Sequence, residues 1–169
     1  SATAYFYLPW TIATSLKLLV ANMTTSFTVE VATDITKLRG YSRRFLLHTT
    51  AVLVLPIILL LVGAPYILNF SGENYAAEGS QLLRLLTLSA LPNVIISLYL
   101  GIARVRQRVS GIIVLQLVLC VLTLGLSSLF LERYGITGVG MAILISEVIV
   151  AVVILLTTLR PILISPVRE

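Results

Sequence analysis

Long apolar runs alternate with short polar ones along this chain, and the length of the apolar runs predicts helices that cross a bilayer. About 20 apolar residues are needed to span the hydrocarbon core. Five stretches qualify: residues 4–26, 45–68, 81–103, 109–131 and 137–159, called here A to E. The connection 27–44 (FTVEVATDITKLRGYSRR) repeats Val31, Ile35 and Leu38 at helical spacing between charged positions. That pattern predicts an amphipathic segment on the cytoplasmic membrane surface, or an extension of helix A into water. The expected fold is all-α, a polytopic membrane helix bundle of about five transmembrane helices over residues 1–169.

Helix A is the least lipid-like of the five. At 100° per residue, Tyr7, Thr11, Thr14, Ser15, Asn22, Thr25 and Ser26 fall in a sector of about 120°, interrupted only by Leu18. Such a stripe either lines a water-filled cavity or bonds across a helix–helix interface. Lys17 lies deep in the same helix, about 120° from the centre of the stripe. An ammonium at that depth costs about 2.5 to 3.5 kcal/mol on insertion scales. It therefore snorkels to the inner surface, lies on the path of an anionic substrate, or forms an internal ion pair.

Glu147 sits near the middle of helix E, with Gly140, Ala151 and Thr158 on its side. Small neighbours allow close helix approach, which directs the carboxylate into the bundle as an ion-coupling group or a hydrogen-bonded structural one. Arg84, in the first turn of helix C, reads as a headgroup anchor. Asn93 and Gln116 read as buried amides making interhelical bonds, and Cys120 as a small packed hydrophobe. Pro9, Pro56 and Pro92 each remove a backbone donor and bend their helices.

Charge sets the orientation. Lys37, Arg39, Arg43 and Arg44 form one basic cluster, Arg104, Arg106 and Arg108 a second, Arg160 and Arg168 a third. The alternate connections carry Glu73, Glu78, Glu132 and Arg133. Basic loops stay on the cytoplasmic side during insertion, so residue 1 is expected outside and residue 169 inside. Tyr5, Phe6, Tyr7, Trp10, Tyr66, Phe70, Tyr75, Phe130 and Tyr134 then mark the outer interface, and Tyr41, Phe45 and Tyr99 the inner one.

Composition agrees: 58% of residues are hydrophobic, 11% are charged, and the mean hydropathy is +1.04, values of a chain whose solvent is mostly lipid. The net charge of +5 belongs to the basic loops and the anionic headgroups beside them, so no nucleic-acid partner is expected. The lone Cys120 and lone His48 offer neither a disulfide framework nor metal-ligand spacing. No nucleophile elbow, paired-carboxylate loop or glycine-rich phosphate cradle is present, so neither an enzyme nor a cofactor is expected. Asn69-Phe70-Ser71 matches a glycosylation sequon by spacing alone. The opening SATAYFYLPW has neither a Met nor a basic n-region and reads as a cut inside a longer protein.

The run AYFYLPWTIATSLKLLVANMTTSF, the segment LPIILLLVGAPYILNFSGENYAAEGSQLLRLLTLSALPNV and the turn YGITGVGMAILISE together resemble bacterial polysaccharide flippases of the multidrug/oligosaccharidyl-lipid/polysaccharide exporter superfamily. The likeness covers nearly the whole chain and is to the carboxy-terminal half of such proteins. It implies that helices A to E are part of the carboxy-terminal lobe of a transporter of 12 to 14 helices in the bacterial plasma membrane. It implies as cargo an undecaprenyl-pyrophosphate-linked oligosaccharide, flipped outward by alternating access. Helix A would then line the cavity, with Tyr7, Thr11, Ser15, Asn22 and Ser26 on the substrate path and Lys17 toward the pyrophosphate. Partners would be membrane lipids, that substrate and the missing amino-terminal lobe. The alternatives are a drug or cation antiporter of the same superfamily, with Glu147 coupling, and a non-transporting scaffold subunit of a polysaccharide assembly complex.

Overall fold

A computed structural model describes residues 2–69 and 73–160, and the side chains of these except 2–6, 67 and 73–78. The described residues form helices and no strand. They are α1 (Ala2–Thr33), α2 (Leu38–Asn69), α3 (Glu73–Leu88), α4 (Ala90–Val105) and α5 (Val109–Ile154), the last continued by a π-helical turn at Leu155–Leu159. Much of this sequence, such as the ILISEVIVAVVI run of α5, is β-branched and would suit a strand in water. In lipid, a helix is the one open segment that satisfies all its own backbone groups.

Neighbouring segments alternate in direction. Leu8 and Ile12 of α1 pack on Ala64 and Leu68 near the end of α2, while Phe27 and Phe45 meet at the other end with ring centroids 5.0 Å apart. These two helices are therefore antiparallel. Ala13 clusters with Leu82 and Leu86 of α3, and Phe27 packs on Gly101 of α4, so α1 runs parallel to α3 and α4. α3 and α4 form one bent rod, interrupted at Ser89, three residues before Pro92 withholds the amide that the Leu88 carbonyl would accept.

Uninterrupted, the 46 residues of α5 would reach about 69 Å. Gly135, at φ 57° and ψ −139°, stops them, a conformation that a side chain strongly disfavours. The chain doubles back there: Gly138 lies so close to the Phe130 carbonyl that a Cβ would collide with it. Val114 and Val118 from 109–134 then face Ile149 and Val153 from 136–154 across a shared groove. The second half of α5 returns parallel to α1 and α3, with Ile143 beside Ala13, Leu82 and Leu86. Gly140 permits this approach, since a Cβ there would stand 2.8 Å from Leu82 Cδ1.

The main core joins Leu16, Val20 and Phe27 of α1 to Leu53, Val94, Leu98, Val150 and Ile154. The outside is as apolar as the inside: Leu55, Leu59 and Val62 on α2 and Val121 and Leu124 on α5 are all exposed. Water would penalise such a surface, and lipid would not. Three helical stretches are long and apolar enough to cross a membrane: Ile35–Tyr66, Gly79–Val105 and Val109–Leu159. α1 is not among them, its mean hydropathy being lowered by Lys17 and the polar stripe. The structure is thus an all-α bundle of membrane type.

The segment 27–44 is shared between two helices. α1 continues to Thr33, a single 3-10 turn covers Ile35–Lys37, and α2 starts at Leu38. Val31 and Leu38 are buried, and Ile35 is exposed. Asp34 caps the turn by accepting from the Thr36 amide, and its second oxygen lies 3.0 Å from Lys37 Nζ. The Thr36 hydrogen bonds, and then Lys37, hold its carboxyl below the ordinary value. α4 closes in a Schellman arrangement, with Arg108 N–H donating to Ala103 O and Gln107 N–H to Arg104 O, and Gln107 takes φ 52°.

The parallel register gathers Lys37, Arg39, Arg43, Arg44, Arg104, Arg106, Arg108 and Arg160 at one end of the bundle, and Glu132 and Arg133 at the other. Phe130 and Tyr134 meet edge to face at that other end, where Tyr7, Trp10 and Tyr66 are exposed. The side chains of Tyr5, Phe6, Glu73, Tyr75 and Glu78, and residues Phe70, Ser71 and Arg168, lie outside the described residues.

Arg84 does more than reach toward headgroups: its Nε donates to the Leu61 carbonyl at 3.0 Å. Pro65 lies four residues after Leu61 and has no amide to offer that oxygen, so the guanidinium replaces a missing helix bond. Arg84→Met is expected to destabilise the bundle by about 1 kcal/mol. In a Pro65→Ala background, which restores the amide, the same substitution should cost less than half as much. Equilibrium unfolding in mixed micelles measures both.

Gly135 gives a second expectation. Nothing lies within 4 Å of where its Cβ would stand, so Gly135→Ala should cost about 1 to 3 kcal/mol purely through the backbone. Gly125→Ala, equally unobstructed but helical, should be neutral or stabilising by up to about 1 kcal/mol in the same assay.

Candidate functional site

α1 has two opposed faces. Ala13, Leu16, Val20, Thr24, Phe27 and Val31 are buried, and at 100° per residue their centre lies about 180° from the polar stripe. The stripe is therefore directed out of the bundle: Tyr7, Thr11, Ser15, Asn22, Thr25 and Ser26 are all exposed, and Thr14 is half-buried. Three of its hydroxyls are satisfied within the helix. Thr11 donates to the Tyr7 carbonyl, Ser15 to Thr11 and Thr25 to Ala21, each one turn back. The Asn22 amide makes no such bond among the described residues.

Lys17 stands on the border between these faces, and Glu147 in the middle of the buried face of α5. Successive turns bring them together. Ala13, Leu86 and Ile143 form one layer, and one turn further along the same parallel helices come Lys17, Ser89 and Glu147. Lys17 Nζ donates to Glu147 Oε1 at 2.5 Å. The lysine side chain is 25% exposed and that of the glutamate 11%, so the pair lies just inside the bundle with the lysine as its more accessible member. Ser89, whose hydroxyl donates to the Leu86 carbonyl, is beside the same carboxylate. Glu147 Oε2 is buried and takes no hydrogen bond.

This arrangement holds an ion pair whose carboxylate keeps one unbonded oxygen. The free lone pairs of Oε2 can accept a proton or a small cation, and the exposed side of Lys17 can turn to an anion. Either event weakens the contact that links α1 to α5. Of the three roles open to Lys17 from sequence, the internal ion pair is the one the geometry displays. Lys17 and Glu147 are joined, whereas Tyr7, Thr11, Ser15, Asn22 and Ser26 lie on a different side of α1 and do not touch the pair. No group of three or more His, Cys, Asp or Glu that could hold a metal occurs among the described residues.

Two expectations need correction. Gln116 and Cys120, read as interior, are exposed on α5, because the first half of that helix buries only the edge carrying Leu115, Leu119 and Leu122. Asn93 is half-buried, and its side chain accepts from Ser97 of its own helix at 3.4 Å instead of bridging two helices. Ser89 is the participant that sequence reasoning missed. Its only signal is a small polar residue three positions before a proline inside an apolar run.

Compared with protein-family models, curated proteins and solved structures, the chain matches none. The superfamily resemblance rests on the sequence segments that carry it.

Removing one partner of the pair leaves the other charge uncompensated in a poorly solvated place. Lys17→Met and Glu147→Leu are each expected to cost about 3 to 5 kcal/mol, and the double substitution far less than their sum. Unfolding of the four proteins in one detergent closes the cycle. Additive costs would mean that the two side chains act independently.

Proposed function

We propose that the chain is part of a multi-pass transporter of the bacterial plasma membrane that moves an undecaprenyl-pyrophosphate-linked oligosaccharide from the cytoplasmic to the outer leaflet. The observation that supports this reading best is the outward polar stripe of α1. From Tyr7 to Ser26 it runs about 28 Å, close to the thickness of a hydrocarbon core. Elsewhere between the two ends the outer surface is mainly apolar, with isolated polar side chains such as Gln116. A stripe this long, with the Asn22 amide in it, is better accommodated by a water-filled cavity than by lipid. An amino-terminal lobe of the same protein would supply the facing wall, and rocking of the two lobes would alternate access.

In this reading α1, α2, the α3–α4 rod and the two halves of α5 are five crossings. The end rich in Lys and Arg lies in the cytoplasm, which puts residue 1 outside and residue 169 inside. Lys17 supplies positive charge at the cavity edge whenever its pair with Glu147 opens. The same pair favours a second reading, an ion-coupled drug or cation antiporter, because a carboxylate whose cationic partner can leave is the minimal element of coupling.

Single cysteines in a Cys120→Ser background of the full transporter test the first reading. Thiols at positions 11, 15 and 22 should react with small hydrophilic reagents, those at 40 and 107 only from the cytoplasmic side, and one at 133 only from outside. Ser15→Leu and Asn22→Leu should slow glycolipid translocation about tenfold, or about 1.4 kcal/mol in barrier, at unchanged protein level. Protection of all three stripe positions beside reactive loops would make the stripe a buried interface. Labelling of 107 from outside would reverse the orientation.

A further inference from the structure

The basic end of the α1–α2 pair carries a half-open cavity of about 280 Å³, floored by Met23, Phe27 and Phe45. Its walls mix charge and hydroxyls: Ser26 and Glu30 come from α1, and Tyr41, Arg44, His48 and Thr49 from α2. One detail sets it apart from a packing remnant. Glu30 and Arg44 face the same space without pairing, since the ion pairs among the described residues are Lys17–Glu147 and Lys37–Asp34. Thr49 is fully buried, lines the cavity, and its Oγ1 has no hydrogen-bond partner. A helical threonine commonly bonds back to the carbonyl one turn earlier, as Thr24 and Thr28 do here. Thr49 does not, and its hydroxyl is sealed behind the cavity wall, where it stays unbonded.

We propose that this cavity binds the headgroup of a phosphodiester lipid that ends in a hydrogen-bond donor, either an ammonium or a hydroxyl. Arg44 suits the phosphate through its forked donors, and His48, one turn further on, can add a ring N–H. Glu30 would repel a bare phosphate, so the ligand must also carry a group that donates to a carboxylate. The acyl chains have a place to lie: Arg44 and His48 also border a shallow hollow with Leu47 and Ala51, and Leu47 is 64% exposed. An arginine bridging a polar cavity and an apolar flank matches the boundary between headgroup and chain. This assignment rests on the reading that the basic end lies at the membrane surface.

Native mass spectrometry of the purified chain in detergent provides the test. The ligands are phosphatidylethanolamine, phosphatidylglycerol and phosphatidylcholine with identical acyl chains, and soluble phosphoethanolamine and glycerol 3-phosphate. The two donor-bearing lipids should bind about tenfold more tightly than phosphatidylcholine, whose trimethylammonium offers no N–H. Glu30→Ala should abolish that preference, and Arg44→Gln should weaken all three lipids about tenfold or more. Both positions are exposed, so neither change threatens the fold. Equal binding of phosphatidylcholine by the unaltered chain, or unchanged binding by Arg44→Gln, or unchanged selectivity by Glu30→Ala, overturns the site. Soluble esters binding as tightly as the lipids overturn the lipid assignment. None of these outcomes bears on the transport reading, which is tested at positions 11, 15 and 22.

Discussion

The contact between Lys17 and Glu147 joins residues 130 positions apart, and the relation of the first helix to the last depends on it. Around it the packing of α1 on α3 and α5 is made of small and aliphatic side chains, Ala13, Leu82, Leu86 and Ile143, which fit well but specify little. Apolar faces of this kind slide past one another at small cost. A charge pair does not, because shifting one helix by a turn separates the charges where neither is well solvated. The pair therefore acts as a register mark for three parallel segments, with Ser89 at the bend between α3 and α4 as the third member of the same layer.

The same requirement, that polar groups within an apolar bundle find partners, explains the smaller features. Pro65 strands a carbonyl and Arg84 supplies a donor to it. Thr11, Ser15 and Thr25 turn their hydroxyls back on their own helix and so can face lipid, water or protein alike. Asn22 and Gln116 have no such recourse, since an amide carries donors and acceptors that one backbone carbonyl cannot satisfy. Those two exposed amides, on α1 and on the first half of α5, mark where the outside of the bundle is not simply lipid-facing.

What could be read in advance followed from local signals. The apolar runs gave the helices, and the polar break at Glu132 and Arg133 separated the two halves of α5 that a mean hydropathy over Val109–Leu159 does not divide, whereas the role of Gly135 in the reversal appears only in the structure. The α1 stripe was legible because a 100° repeat places its members in one sector. Partnerships were not. Nothing in the neighbourhood of Lys17 names Glu147 as its partner, and Arg84 looks like an anchor until the missing amide of Pro65 is set beside it in space. Gln116 and Cys120 were misplaced for a related reason: a helix that is apolar on every side carries no periodic signal of which edge is buried.

α1 is the one helix in which these themes meet, and its asymmetry has a mechanical consequence. One face packs into the bundle, the opposite face is polar and outward, and Lys17, its side chain 25% exposed, stands between them. A rotation of α1 by a few tens of degrees would carry Lys17 toward the outside of the bundle and withdraw it from Glu147, and would turn the stripe by the same angle. Through such a rotation the orientation of the stripe and the integrity of the pair would be linked, although the flexible lysine stem also lets the pair open without it. By linkage, a ligand that favours the rotated arrangement would also turn the stripe, and a partner that fixes the stripe would alter how readily the pair opens by that route. The strength of that coupling is bounded by the pair itself, because a ligand can shift the equilibrium only by its differential affinity for the two arrangements.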